Sequence, residues 1–318
     1  MRLVFMGSGG FALPSLRALL ASQHEVVALI TQPDKPAGRG HELRMPPTKS
    51  LALDQGISVH QPPRVRAEDS VALLRGLAPE CIVVVAYGQI IPASVLAIPP
   101  LGIINVHGSL LPRYRGAAPV QWSIARGETE TGVTTMLMDE GLDTGPVLLQ
   151  KSIPIAEDDT GGSLEAKLAS PGAQLLLETL PRWAQRDLLP KPQNEELATL
   201  APRIKKEDGL IDWNWTAREI HSRRRAFDPW PVAHVLFDEA PLRIWKTKVA
   251  SEARESAPPG QILAFEGERV LVASGGRSRL LIEDVQLAGR ARMSAAAFAR
   301  GKRLAVGDRF GQPRPSRP

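Results

Sequence analysis

The chain has 318 residues, enough for two compact domains, and its 43% hydrophobic and 23% charged content is that of a folded soluble protein. No run of about 18 apolar residues is present to cross a membrane as a helix, and a single cysteine, Cys81, excludes an intrachain disulfide and a cysteine-rich zinc site. The net charge of +5 hides an asymmetry: residues 1–180 carry 14 Lys and Arg against 17 Asp and Glu, a net of −3, while residues 181–318 carry 25 against 17, a net of +8. A basic second half suggests a polyanionic partner, although a solvated arginine-rich surface would give the same count.

In chain order, residues 3–6 open as a strand followed at once by a turn, which leaves no room for a targeting peptide and, with the lone cysteine, points to the cytoplasm. Apolar runs at 26–31, 57–60, 82–86, 103–107, 132–138 and 147–155 predict further strands, and helical patterns at 14–21, 50–54, 70–77 and 118–126 fall between several of them. This alternation predicts a Rossmann-like, doubly wound α/β domain over residues 1–182, with a mostly parallel sheet and a ligand crevice at the carboxyl ends of its strands. A helical pattern at 163–180 is interrupted by Pro171-Gly172, which predicts a kink or a split. Residues 183–204, centred on Leu188-Leu189-Pro190-Lys191-Pro192-Gln193, predict a linker. In residues 205–318, a helix at 217–225 and short strands at 233–237, 242–248, 260–264, 269–273 and 280–285 predict a small β-barrel. The Pro- and Arg-rich tail 311–318 is expected to be disordered.

One segment carries chemistry. Ile103-Ile104-Asn105-Val106-His107-Gly108-Ser109-Leu110-Leu111-Pro112 ends a buried strand in polar residues, and period-2 alternation puts Asn105 and His107 on one face. A carboxamide and an imidazole side by side can both donate to a developing oxyanion. A carboxylate is then needed to set the imidazole's charge and orientation, and Asp143, in the glycine-flanked Gly141-Leu142-Asp143-Thr144-Gly145, is the candidate. Taken singly, each residue also fits a structural role: a capping Asn, a core His, a turn Asp. Cys81 has no obvious base partner, so direct attack by a substrate amine suits the set better than an acyl-enzyme.

The run Asn105-x-His107-x-Ser109-Leu110-Leu111-Pro112-x-x-Arg115-Gly116, followed by Gly141-Leu142-Asp143-Thr144-Gly145, resembles the signature of the folate-dependent formyltransferases. Further matching segments are Thr31 to Gly40, Ala86 to Pro92, Ala117 to Trp122, Ile211-Asp212-Trp213 and Arg225 to Pro231, so the resemblance runs from Leu3 to Phe310. It implies a formyl group moved from the co-substrate 10-formyltetrahydrofolate to the free amine of initiator methionyl-tRNA, by a cytoplasmic monomer that needs no metal and no membrane. Asn105, His107 and Asp143 match the family's catalytic trio: the first two would hold the oxyanion, and Asp143 would keep His107 charged and oriented. Ser109, Leu110, Leu111 and Pro112 match a folate-contacting stretch, with Tyr87, Gly88, Gln89, Ile90, Asp139 and Gly141 walling the pterin pocket. The loop 32–47, with Lys35, Arg39 and Arg44, resembles the loop that meets the tRNA acceptor end. The second half resembles an OB-like tRNA-binding domain, with Lys205, Lys206 and the run Arg223-Arg224-Arg225 as phosphate contacts, Arg223 foremost.

Some positions depart from the family pattern. Ser8-Gly9-Gly10 stands where a Pro and often an acidic residue are usual, and Pro146 replaces a residue that is often acidic. The Gly7-x-Gly9-Gly10 turn lacks the full dinucleotide-binding spacing. Two alternatives stay open at this level: a formyltransferase for an amino sugar or another small amine, and a non-catalytic RNA-binding protein on a decayed α/β domain.

Overall fold

Strand β1 (Arg2–Gly7) is apolar from Leu3 to Met6 and lies inside a seven-stranded sheet. A computed structural model describes residues 1–37, 42–251 and 257–311. After β1 the chain runs through helix α1 (Leu13–Leu20), β2 (Glu25–Ile30), the short pair β3 (Lys35–Ala37) and β4 (Glu42–Arg44), α2 (Pro47–Asp54) and β5 (Ser58–His60). It continues through α3 (Glu68–Leu77), β6 (Cys81–Val85), α4 (Ala93–Leu96), β7 (Ile103–His107), α5 (Pro119–Ala125), β8 (Glu130–Leu137), β9 (Val147–Pro154) and α6 (Gly161–Ala184). The sheet order is β5-β2-β1-β6-β7-β8-β9, with β5 through β7 parallel and β8 and β9 antiparallel. The chain builds outward to β2 and β5, then returns to lay β6 on the other side of β1, so the order reverses between β1 and β6. In such sheets the crevice opens at the carboxyl ends beside that reversal.

The central strands are continuous aliphatic runs because helices cover both faces; every residue of β6 and β7 is buried, Asn105 and His107 among them. The boundaries predicted for these strands fall within two residues of the observed ones. The 3-residue pair β3 and β4 is too short for alternation to reveal.

Helix α6 corrects one expectation: Pro171-Gly172 neither ends nor splits it. Leu164, Leu168, Leu175, Leu176 and Leu180 are buried along it. An interior proline costs about 3 kcal/mol, and each buried leucine returns about 1.5–3 kcal/mol, so the apolar stripe wins. Gly172 serves close packing, since a Cβ there would lie 3.1 Å from Val106 of β7.

Two compact units result: one of Met1–Val120, Glu130–Pro154 and Ser163–Arg203, the other of Gln121–Thr129, Ile155–Gly162 and the chain from Ile204 onward. The second unit contains α7 (Ala217–Ala226), β10 (His234–Phe237), β11 (Ala240–Ala250), β12 (Ile262–Glu266), β13 (Arg269–Ala273), β14 (Arg279–Leu287), β15 (Met293–Ser294) and α8 (Ala295–Gly301). Its antiparallel sheet runs β10-β11-β14-β13-β12, with β15 also on β14. The core holds Ile244, Val272, Ile282, Phe237, Phe298 and Phe310. Helix α7 starts on a reciprocal cap between Thr216 and Glu219. Of the small OB-like β-barrel expected from the sequence, the antiparallel sheet is present, but among the described residues its strand order ends at β10 and β12 and does not close. Short alternating strands with Gly/Pro turns are common to open sheets and barrels, and closure depends on an edge pairing that periodicity does not encode. The tail from residue 312 lies outside the described residues.

Candidate active site

Strand β7 lies between β6 and β8, with Val84 beside Asn105 on one side and Met136 and Thr134 beside Asn105 and His107 on the other. The pleat sends Val106 toward α6 and turns Asn105 and His107 together to the opposite face, where they are 8% and 5% exposed. The imidazole is held at both nitrogens. Its Nε2–H donates to the Tyr114 carbonyl at 2.9 Å, and since a carbonyl only accepts, that nitrogen carries a proton. Nδ1 faces Asp143 Oδ2 at 3.6 Å, a charge contact longer than a hydrogen bond. Asp143 sits in the connection between β8 and β9 at φ +54°, a left-handed conformation that Asp tolerates better than most residues. Its Oδ2 accepts the Gly116 N–H at 2.8 Å. Gly116 has φ +123°, and a Cβ there would meet the Ala201 carbonyl oxygen at 2.6 Å, so a glycine is required.

The loop that follows β7 is fixed from below. Thr134 Oγ1 donates to the Ser109 carbonyl at 2.6 Å and accepts from Leu111 N–H at 3.2 Å. Gln150 donates to the Leu111 carbonyl at 2.8 Å and to Thr134 Oγ1 at 3.0 Å. Ser109 is fully buried and spends its hydroxyl on the Arg113 carbonyl. Leu111 packs with Met136 and Val147. Ser109 and Leu111 thus shape the site by their backbone path, and Leu110 and Pro112 are its partly buried members.

At the end of β6, Tyr87 turns its side chain into the core beside Val4, Met6 and Val84. Burial pushes its phenol up to about 12, and the hydroxyl has no partner. Gln89 is committed to Val65 N–H and the Pro62 carbonyl. Gly88 is exposed and Ile90 stands 85% exposed, so these two present surface while Tyr87 and Gln89 act as structure. Leu142, at 61% exposure, adds a second bare apolar side chain on the Asp143 loop. That loop is braced by Asp139, which accepts from Gly141 N–H at 3.1 Å and Thr144 Oγ1 at 2.7 Å.

Lys35 and Arg44 are direct cross-strand partners on the β3–β4 pair, and both are exposed. Arg39 lies outside the described residues. Lys205 and Lys206 are exposed. The arginine run differs from expectation. Arg223 stacks on Trp215 at 4.3 Å, with Trp122 at 5.8 Å and Phe227 at 5.9 Å. Arg224 is buried and donates to the Trp245 carbonyl at 2.7 Å. Arg225 is buried and donates to the carbonyls of Ala156 at 3.0 Å and Asp159 at 3.2 Å. Arg224 and Arg225 are therefore internal ties, not phosphate contacts.

The residues the sequence did not single out are Tyr114, Thr134, Gln150 and Gln193, whose roles come from partners 16–50 positions away or from a backbone carbonyl, beyond any local pattern.

Residues 1–180 match the Formyl transferase family and residues 203–303 the Formyl transferase, C-terminal domain family. The chain is 51% identical over 316 residues to the methionyl-tRNA formyltransferase of Pelobacter propionicus, covering 99% of this chain and 98% of that one. It is 47% identical to the methionyl-tRNA formyltransferase of Geobacter sulfurreducens, covering 98% and 97%. In fold it is similar to an N-formyltransferase from Helicobacter canadensis, crystallised with folinic acid and dTDP-3-aminofucose (TM-score 0.65, 20% identity, 88% of this chain and 98% of that one). It is also similar in fold to the methionyl-tRNA formyltransferase of Clostridium thermocellum (TM-score 0.56, 15% identity, 90% and 98%).

Proposed function

Because the chain belongs to the formyl transferase family, we propose that it transfers the formyl group of 10-formyltetrahydrofolate to the free amine of initiator methionyl-tRNA, with Asn105, His107 and Asp143 as the reacting site. The observation that carries this is the full-length match to methionyl-tRNA formyltransferases, supported by Asn105 and His107 on one face of β7 and by the Asp143 carboxylate 3.6 Å from His107 Nδ1. As the amine attacks the formyl carbon, a C–N bond forms and charge collects on the formyl oxygen. The Asn105 carboxamide, which no side-chain hydrogen bond ties up among the described residues, donates to that oxygen. His107, anchored through Nε2 to Tyr114, donates from its Nδ1 edge. Asp143 faces that edge at 3.6 Å and fixes the ring's orientation. The bond to the carrier nitrogen then breaks, one proton leaves the amine and one returns to the carrier.

The formyl donor is the co-substrate, and the residues present fit it. A flat heterocycle needs an apolar slot with a few backbone hydrogen bonds; Ile90 and Leu142 are the exposed apolar side chains at the site's rim. Peptide groups of 86–91 and 139–141 supply donors and acceptors. The acceptor tRNA is met by Lys35 and Arg44: like charges set directly across a two-stranded ribbon repel, and a phosphate between them removes that cost. The second unit is the tRNA-binding domain, with Lys205 and Lys206 as its own phosphate contacts and Arg223 behind them in its aromatic stack. The enzyme works as a monomer in the cytosol, where charged tRNA is made. The test is formyl transfer with initiator methionyl-tRNA and, in parallel, a nucleotide-linked amino sugar. Transfer to the tRNA alone is expected; transfer to the sugar alone would overturn the assignment.

A further inference from the structure

The segment that reads in the sequence as a linker is hydrogen-bonded to the backbone that anchors His107 and Asp143. Gln193 Nε2 donates to the carbonyls of Asp143 at 2.8 Å and Gly145 at 2.7 Å, while its Oε1 accepts from Arg115 Nε at 3.0 Å. The opposite amide orientation would set an oxygen against two carbonyl oxygens and an NH2 against an N–H, so only this orientation is chemically consistent. Arg115 is itself buried and held by a two-point pair with Glu195, both bonds at 2.8 Å. Thr199 Oγ1 accepts the Tyr114 N–H at 2.9 Å, the Thr199 carbonyl accepts the Arg115 N–H at 2.8 Å, and the Arg115 carbonyl accepts the Ala201 N–H at 2.7 Å.

These bonds converge on both catalytic partners. Tyr114, at φ +65°, offers the carbonyl that anchors His107 Nε2. Gly116 offers the N–H that anchors the Asp143 carboxylate. Gln193 clamps the backbone of the 143–145 turn itself, where Asp143 sits in a left-handed conformation.

We propose that residues 193–201 form a strap that sets the distance between His107 and Asp143, with Gln193 as its principal positioning residue. This rests on the functional reading above. Gln193 touches no reacting atom; it acts by keeping the Asp143 carboxylate at the Nδ1 edge of His107. Displacing a positioned group by about 1 Å can cost up to about a hundredfold in rate without touching the groups that bind substrate.

The experiment uses the full chain, single-turnover formyl transfer to charged initiator tRNA, two single variants at Gln193, and Asp143→Asn both alone and with Gln193→Ala. Gln193→Ala removes all three bonds. Gln193→Glu keeps the shape and the acceptor for Arg115 but removes both donors, and it carries the test if the alanine variant does not fold. Gln193→Ala combined with Asp143→Asn closes a double-mutant cycle. The expected result is a rate about tenfold to a hundredfold below wild type in both Gln193 single variants, with unchanged KM for the formyl donor and the tRNA. In the Asp143→Asn background, Gln193→Ala should add no further loss. A wild-type rate in Gln193→Glu, a loss confined to KM, or equal losses in both backgrounds would each overturn the positioning role while leaving the activity standing. An inactive wild type would overturn both.

Discussion

Two clusters of polar residues look alike in the sequence, Asn105–His107–Asp143 and Arg223–Arg224–Arg225, and the fold treats them in opposite ways. In the first, buried side chains keep hydrogen-bonding capacity unspent: the His107–Asp143 contact is 3.6 Å, and the Asn105 side chain makes no hydrogen bond among the described residues. In the second, the Nη1 groups are spent inward, and of the buried nitrogens only the Nε atoms of Arg224 and Arg225 are left without a partner among the described residues. Arg224 and Arg225 satisfy carbonyls, and Arg223 lies over aromatic rings. Burial by itself therefore does not separate a functional polar residue from a structural one; what separates them is whether protein groups already satisfy it.

The comparison breaks most sharply at Asn105. Asn105→Ala should lower the single-turnover rate by about 10²–10³, the usual cost of one oxyanion donor, while filter-binding affinity for charged tRNA stays unchanged. Retained rate would put Asn105 with the structural residues. Arg225→Ala should do the reverse. It removes two charge-assisted bonds inside the second unit, so urea unfolding should show a loss of about 2–3 kcal/mol. A tRNA affinity that falls with no loss of stability would return Arg225 to the phosphate contacts. Replacing Lys35 and Arg44 together should weaken tRNA binding and flatten its salt dependence by about 0.7–0.9 log units per log unit of salt for each lost phosphate contact. An unchanged slope would remove the β3–β4 pair from the interface.

The smallest expected effect comes from His221, which neighbours the arginine run. Burial, then the charges of Arg225, Arg224 and Arg218, depress its pKa from 6.5 to about 4. Unfolded His221 takes up a proton that the folded form refuses, so stability is lost as pH falls from 6.5 toward 4 and changes no further from this group below that. His221→Gln, which keeps a partner for Thr247, should flatten the dependence of unfolding free energy on pH in that window. An identical slope in the variant would assign it to other groups.

The sequence showed the parts of the molecule that depend on near neighbours. The strands of the first unit are aliphatic runs bounded by turns, and the β7 face that pairs Asn105 with His107 follows from a period of two. What it did not show depends on distance along the chain. Pro171-Gly172 reads as a break because the leucine stripe outweighs it only once packed. The barrel was expected because strand edges leave no periodic trace. Residues 193–201 read as a linker because prolines and polar residues mark exposed chain, whereas Gln193 is tied to a carbonyl 50 positions away. Arg224 and Arg225 read as surface charge because composition carries no burial.

The most direct measurement is single-turnover formyl transfer from 10-formyltetrahydrofolate to initiator methionyl-tRNA by the wild type and by His107→Ala, with tRNA binding measured on both. The site described here predicts transfer by the wild type and a rate at least about a hundredfold lower in the variant at equal tRNA affinity. Equal rates in the two proteins would contradict it.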